Sequence, residues 1–72
     1  MNMNMNIAFW DNALSERGTS VAIFDYAYYN QTILKNKSYI FYDKNFINLN
    51  NNNVIEKFKK HFPVTPIFLV NP

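Results

Sequence analysis

The polar residues between Asp11 and Ser20 are the ones best placed, by type and spacing, to bind a ligand. Arg17 offers a guanidinium, Gly18 permits a close approach of the backbone, and Thr19 and Ser20 offer hydroxyls. At the start of a helix these groups suit a phosphate or a sugar. The structural alternative is that Gly18 relieves a tight turn, Thr19 caps a helix and Arg17 is solvated. The candidate ligand-binding residues are Asp11, Asn12, Arg17, Gly18, Thr19 and Ser20.

The remaining titratable residues form no recognisable catalytic or metal-binding set. His61 is the only histidine and cysteine is absent, so neither a zinc site nor a disulfide is predicted. We expect His61 to be solvated or to pair with a helix dipole. No G-x-G-x-x-G fingerprint occurs. We therefore assign no catalytic residue, no metal and no cofactor. The five carboxylates show no pair that supports acid/base catalysis: Asp11, Glu16, Asp25, Asp43 and Glu56.

The candidate residues lie between a predicted strand and a predicted helix. Met5–Trp10 is a short apolar run, typical of a strand buried on both faces in a parallel sheet. Asp11–Gly18 predicts a loop, and about Thr19–Leu34 predicts a helix capped by Thr19 or Ser20. Trp10 and the helix tyrosines could form a sugar-stacking wall, but we expect them in the core. The predicted inner face comprises Ile23, Phe24, Ala27, Gln31 and Leu34, and the wetter side Asp25, Asn30 and Lys35.

The rest of the chain predicts a strand, a helix and a strand. Ser38–Tyr42 is a β-branched and aromatic run, and an asparagine-rich loop follows from Asp43 to Asn53. Asn53 and Glu56 resemble a capping box for a short helix that ends near His61. Pro66–Val70 predicts a third strand, with Pro66 at its first residue or at an edge. Within the helix we expect Ile55, Phe58 and Phe62 on one face and a Glu56–Lys60 pair.

This β-α-β-α-β order predicts an α/β fold: a three-stranded parallel sheet with right-handed crossovers and strand order 3-2-1. Such a unit is half of a doubly wound Rossmann-like domain. We expect residues 1–5 to be a disordered leader and residues 6–72 a partial Rossmann-like domain. Strand one would then be an apolar edge strand without charge or proline, which predicts marginal stability alone, self-association or a protein partner.

Composition narrows the functional classes. With 72 residues, 49% of them hydrophobic, the chain is one small globular domain, and its apolar runs are too short to span a membrane. The net charge of +2 and the small Lys57, Lys59 and Lys60 cluster do not indicate nucleic-acid binding. No secretory signal is recognisable at the N-terminus, so a cytoplasmic location is expected.

A resemblance adds a functional expectation. Ile7–Asn12 and Glu16–Asn30, with the Arg-Gly-Thr-Ser-Val-Ala core beginning at Arg17, resemble the beginning of a group of glycosyltransferases with the two-domain GT-B architecture. Ser38–Tyr42 and Val54–Phe62 fall where that group has its second strand and second helix. The likeness covers nearly the whole chain.

The resemblance implies that this chain is a truncated N-terminal, acceptor-side half of a glycosyltransferase-like protein. The loop after strand one would face the interdomain cleft, and a C-terminal domain, missing here, would hold the nucleotide-sugar. A sugar acceptor or nucleotide-sugar would therefore bind only together with that part, and the chain alone would be inactive. The alternative is a small non-enzymatic interaction module that pairs with a partner protein. The residues leave open whether the chain is an enzyme.

Overall fold

The structure, a computed structural model, describes residues 4–45 and 50–68. These residues form a three-stranded parallel sheet and two helices, so the predicted α/β class and the β-α-β-α-β order are confirmed. None of the helices in the described ranges is long and apolar enough to cross a membrane. The elements are β1 (Asn6–Asp11), α1 (Gly18–Thr32), β2 (Lys37–Asp43), α2 (Asn52–Lys59) and β3 (Val64–Ile67).

The strand β2 lies at the centre of the sheet and pairs in parallel with both neighbours. Ile7 of β1 is level with Ser38, and Ile40 is level with Val64 of β3. The observed order is β1-β2-β3, whereas the sequence predicts 3-2-1. The two lists name the same neighbours read from opposite edges of the sheet. Both β1 and β3 are therefore edge strands among the described residues.

Both helices pack on one face of the sheet. The Phe24 ring of α1 meets the Phe58 ring of α2 edge to face, with centroids 5.2 Å apart. This geometry is favourable for aromatic pairs and joins the two helices over the central strand. The predicted apolar face of α2 is confirmed. The buried core comprises Leu14, Ala27, Ile40, Tyr42, Ile55, Phe58 and Phe62.

The opposite face of the sheet carries no helix among the described residues. Side chains alternate between the faces along each strand, so Ala8 and Trp10 of β1 lie on this bare face with Phe41 of β2. Ala8 and Trp10 are exposed. The prediction that strand one is buried on both faces is therefore wrong. Two successive crossovers of one hand place both helices on the same side, which leaves the other side uncovered.

Two helix starts differ from the prediction. The N-cap residue of α1 is Arg17, with no side-chain cap bond, so neither Thr19 nor Ser20 caps this helix. The cap of α2 is Asn51, not Asn53, since its side chain accepts hydrogen bonds from the N–H groups of Asn53 and Val54 at 2.9 and 3.2 Å. At α2 the predicted residue type is therefore right but the cap lies two residues earlier, whereas at α1 the predicted hydroxyl cap is wrong.

Other boundaries move by a few residues. The helix α1 ends at Thr32 rather than Leu34, and Lys35 follows with a φ of 60°. The helix α2 ends at Lys59, before the predicted end near His61. Its Glu56 carboxylate lies 3.7 Å from Lys59 Nζ, instead of pairing with Lys60.

Each predicted strand is also displaced. The strand β1 begins and ends one residue later than predicted, and β2 extends one residue further at each end. The strand β3 starts at Val64, so Pro66 lies within an edge strand. The predicted end of this strand at Val70, residues 1–3 of the expected leader and residues 46–49 of the expected loop lie outside the described residues.

A buried amide network joins α1 to the sheet. Asn30, predicted on the wetter side, is buried and donates to Ser38 Oγ at 2.9 Å. The Ser38 hydroxyl donates in turn to the Ala27 carbonyl at 2.7 Å. Asn36 donates to Asn30 Oδ1 at 2.9 Å and accepts from the Met5 N–H at 3.0 Å. These bonds satisfy Asn30 inside the fold, which is why a polar residue is tolerated there.

Candidate functional site

The loop between β1 and α1 lies at the carboxyl end of the sheet, where ligands bind in open parallel α/β folds. Asp11, the last residue of β1, and Ser20, in the first turn of α1, are both buried. Ser20 Oγ donates to Asp11 Oδ2 at 2.7 Å and lies 3.1 Å from the Ala13 carbonyl oxygen. It also accepts from the Ser15 N–H at 3.1 Å. The Ser20 hydroxyl therefore contacts Asp11, Ala13 and Ser15 and stabilises the conformation of the loop.

Arg17 folds back over the same loop. Its Nε donates to Ser15 Oγ at 2.9 Å, and its Nη2 donates to the Ala13 carbonyl at 3.3 Å. The Nη2 also lies 3.7 Å from Asp11 Oδ1. The Arg17 side chain remains 48% exposed, so part of the guanidinium is accessible to a ligand. Asp11, Arg17 and Ser20 thus form one connected cluster.

The other three predicted ligand residues lie outside this cluster. A Cβ placed on Gly18 would meet no atom within 4 Å, and its φ is not positive. Gly18 is therefore not required by a tight turn, and that interpretation is wrong. The close approach of a ligand to its backbone stays a prediction. Thr19 is exposed in the first turn of α1. Asn12 is also exposed, and its Oδ1 accepts from Trp10 Nε1 at 3.2 Å.

A groove between α1 and α2, of about 310 Å³, lies beside this cluster. Ser20 is the one predicted site residue that lines it. Phe24 and Phe58 form an apolar wall of the groove, and Lys57 Nζ lies 4.4 Å from the centre of the Phe24 ring. Sequence reasoning missed this groove because it depends on how the two helices are placed, which no local pattern encodes.

Several aromatic residues that we expected in the core are exposed. Tyr26 is 67% exposed and Trp10 is 42% exposed. His61 is exposed as well, but its ring meets those of Phe24 and Tyr28 edge-on, at 5.4 and 5.6 Å between centroids. It therefore packs as an aromatic side chain. In residues 4–45 and 50–68 no group of three His, Cys, Asp or Glu side chains could hold a metal ion.

The outer edge of β1 is a second candidate site. The Lys37 N–H donates to the Met5 carbonyl at 2.8 Å, which fixes the alternation of the parallel ladder. The peptide groups of Ile7 and Phe9 then face β2. Those of Asn6, Ala8 and Trp10 face outward, and no group of the described chain bonds to them. The peptide groups of these three alternate residues are therefore open to a further strand.

The outer edge of β3 differs. The Ile40 N–H donates to the Pro63 carbonyl, and the Lys44 N–H donates to the Ile67 carbonyl, both at 2.9 Å. In this register the peptide groups of Val64 and Pro66 point outward. Proline has no N–H, so Pro66 loses no bond to β2 and removes a donor from the outer edge. The predicted edge position of Pro66 is confirmed, and it blunts β3 as a partner for another strand.

No protein-family model, curated protein or solved structure matches this chain.

Proposed function

We propose that this chain is a non-enzymatic interaction unit that pairs, along the outer edge of β1, with a strand from another polypeptide. One observation carries the proposal: the outward peptide groups of Asn6, Ala8 and Trp10 have no partner in residues 4–45 and 50–68. Strand addition would satisfy all of them at once, and it is a common mode of peptide and protein recognition.

The contrast between the two edges supports this proposal. Natural sheets protect edge strands with charged residues, proline or a covering element. The edge of β3 carries Pro66, while residues 6–10 contain neither a charge nor a proline. The edge of β3 is therefore protected and the edge of β1 is open, as expected for a sheet that accepts a further strand only beside β1.

The test removes a single outward donor. Ala8→Pro deletes an N–H that makes no bond to β2, so the sheet itself keeps its ladder. Ala8→Val is the matched control, because it keeps the donor and favours a strand. Each variant carries an affinity tag and is purified from the native host under non-denaturing conditions. The mass of the assembly that contains it is then measured.

We expect the wild type and Ala8→Val in an assembly heavier than one chain, and Ala8→Pro at the mass of one chain. Circular dichroism verifies that Ala8→Pro is folded. The proposal would be overturned if the wild type is recovered at the mass of one chain, or if folded Ala8→Pro is recovered in the heavier assembly.

A second candidate function is that of the acceptor-side, Rossmann-like half of a glycosyltransferase-like protein, as the resemblance implies. The observation that favours it is the cluster of Asp11, Arg17 and Ser20 at the carboxyl end of β1. Glycosyl transfer requires stabilisation of the leaving nucleotide together with positioning of the acceptor. One loop cannot do both, so the chain alone would be inactive. The resemblance implies that an acceptor binds only together with the missing part; we propose instead that the cluster keeps enough of the acceptor site to contact a free acceptor sugar.

Titration with free sugars and with nucleotide-sugars, followed by amide chemical shifts, tests this candidate. An acceptor sugar should shift the signals of Arg17 and Ser20, and Arg17→Ala should abolish the shifts while Lys60→Ala, on an exposed helix end, leaves them intact. Absence of any shift at these residues would rule out the site. Nucleotide-sugar binding, or turnover lost in Arg17→Ala, would contradict an acceptor half that is inactive alone.

A further inference from the structure

We infer that the strand added to β1 is β1 of a second copy of this chain, running antiparallel about a two-fold axis that passes beside Ala8. This inference rests on the proposed function and names its partner. The product is one six-stranded sheet in which the two β1 strands meet at the centre and the two β3 strands form the outer edges. Both outer edges then carry Pro66, so the assembly closes as a dimer.

The backbone of β1 is self-complementary about this axis. Ala8 lies opposite Ala8 of the second copy, and Asn6 lies opposite Trp10. All three outward-facing residues then exchange N–H···O bonds, about six bonds across the axis. Residues 6–10 carry no charge, so no like charges oppose each other.

The side chains between these positions favour the same register. Ile7 lies opposite Phe9 of the second copy, on the helix-covered face, where both are half-buried. An aromatic side chain beside a β-branched one is a favourable cross-strand pair. Centring the axis on Phe9 instead would place the Asp11 carboxylate opposite Ile7. The pairing centred on Ala8 is therefore the better match.

The outer side of α1 gives independent support. Phe24 faces α2, and Tyr26, two residues later, lies about 200° further around the helix. Tyr26 therefore faces away from α2, toward the β1 side of the molecule. Ile33 lies about two turns beyond Tyr26 on the same side. Tyr26 and Ile33 are 67% and 60% exposed, so both present apolar surface on this side of the helix.

The same two-fold axis brings these exposed side chains together. The helix α1 lies against both β1 and β2. Antiparallel pairing in this register keeps both α1 helices on one face, and strand spacing places their axes roughly 10 Å apart. Packed helices lie at about 8–10 Å. Tyr26 and Ile33 of the two copies thus become the contact between the helices.

Single cysteines test the register, because the chain has none of its own. In Ala8→Cys the two Cα atoms lie about 5.5 Å apart across the axis, within disulfide range. Thr65→Cys is the matched control: it is exposed on the same bare face, but in β3, roughly 24 Å from its copy. Mild oxidation should join Ala8→Cys chains into dimers and leave Thr65→Cys chains single. Equal cross-linking of both would indicate contact through the bare face and overturn the inference.

Sedimentation of the purified chain tests the stoichiometry. We expect the purified wild-type chain to be a dimer. Its dissociation constant should rise at least tenfold in Ala8→Pro and in Tyr26→Glu. The Tyr26→Glu variant places two carboxylates at the contact between the helices. Lys60→Glu, at the far end of α2, should dimerise as the wild type does. A purified wild-type chain that stays single at every concentration overturns the inference. If its assembly from the host is nevertheless lost in Ala8→Pro, the proposed function stands with a different partner; if that assembly is also absent, both fail.

Discussion

Ser20 Oγ lies 2.7 Å from Asp11 Oδ2, and this contact ties the first turn of α1 to the last residue of β1. Both residues are buried, at 1% and 6% exposure. A carboxylate in such a place needs compensating partners: the Ser20 hydroxyl donates a hydrogen bond to it, and the Arg17 guanidinium, 3.7 Å away, supplies an opposite charge. The strand, the loop and the helix are therefore held as one unit at the carboxyl edge of the sheet.

Ser20→Ala removes this hydroxyl and leaves the Asp11 carboxylate and the Ser15 N–H short of a partner. We expect the free energy of unfolding to fall by about 1–3 kcal/mol, the usual cost of an unsatisfied buried polar group. Thr19→Ala, one position away but exposed, should change it by less than about 0.5 kcal/mol. Urea denaturation measures both, and equal effects would show that the buried contact adds no stability.

Asn51→Ala removes the side chain that caps α2. The N–H groups of Asn53 and Val54 then lose their acceptor, and we expect a loss of about 0.5–2 kcal/mol in unfolding free energy. Asn53→Ala, within the first turn and exposed, is the control and should be nearly neutral. The reverse ranking in thermal melts would place the cap at Asn53, as the sequence predicts.

Asn30 and Ser38 form a buried pair suited to a double-mutant cycle. Each single change, Asn30→Ala or Ser38→Ala, leaves the other polar group without its bond and should cost about 1–3 kcal/mol. The double variant should cost less than the two singles added, because the shared bond is lost only once. If the losses in unfolding free energy are strictly additive in denaturant titrations, the 2.9 Å hydrogen bond between Asn30 and Ser38 contributes no coupling energy.

Proline at two adjacent positions of β1 should have opposite consequences. The N–H of Ile7 belongs to the ladder with β2, so Ile7→Pro breaks a central hydrogen bond and should abolish the cooperative unfolding transition. The N–H of Ala8 points outward, and Ala8→Pro should retain a folded spectrum and a cooperative melt. Circular dichroism distinguishes the two, and similar damage from both would contradict the deduced alternation.

The sequence by itself determined the kinds of element and their order. Apolar runs such as Ile7–Trp10 and the spacing of Ile55, Phe58 and Phe62 are local patterns, and local patterns select strands and helices directly. The parallel sheet follows because short links between alternating strands and helices permit little else. Three of the six predicted ligand residues, Asp11, Arg17 and Ser20, lie together for the same reason, since the carboxyl end of β1 is where such a loop must lie.

The tertiary structure alone decided which side chains are covered. Asn30 can be buried because its amide is hydrogen-bonded to Ser38 and Asn36. Tyr26 and Trp10 are exposed because both helices occupy one face of the sheet. Burial is a property of neighbours distant in sequence, so residue type predicts it poorly. The open edge at Ala8 and the blunted edge at Pro66 depend likewise on ladder register, which only the pairing of whole strands sets.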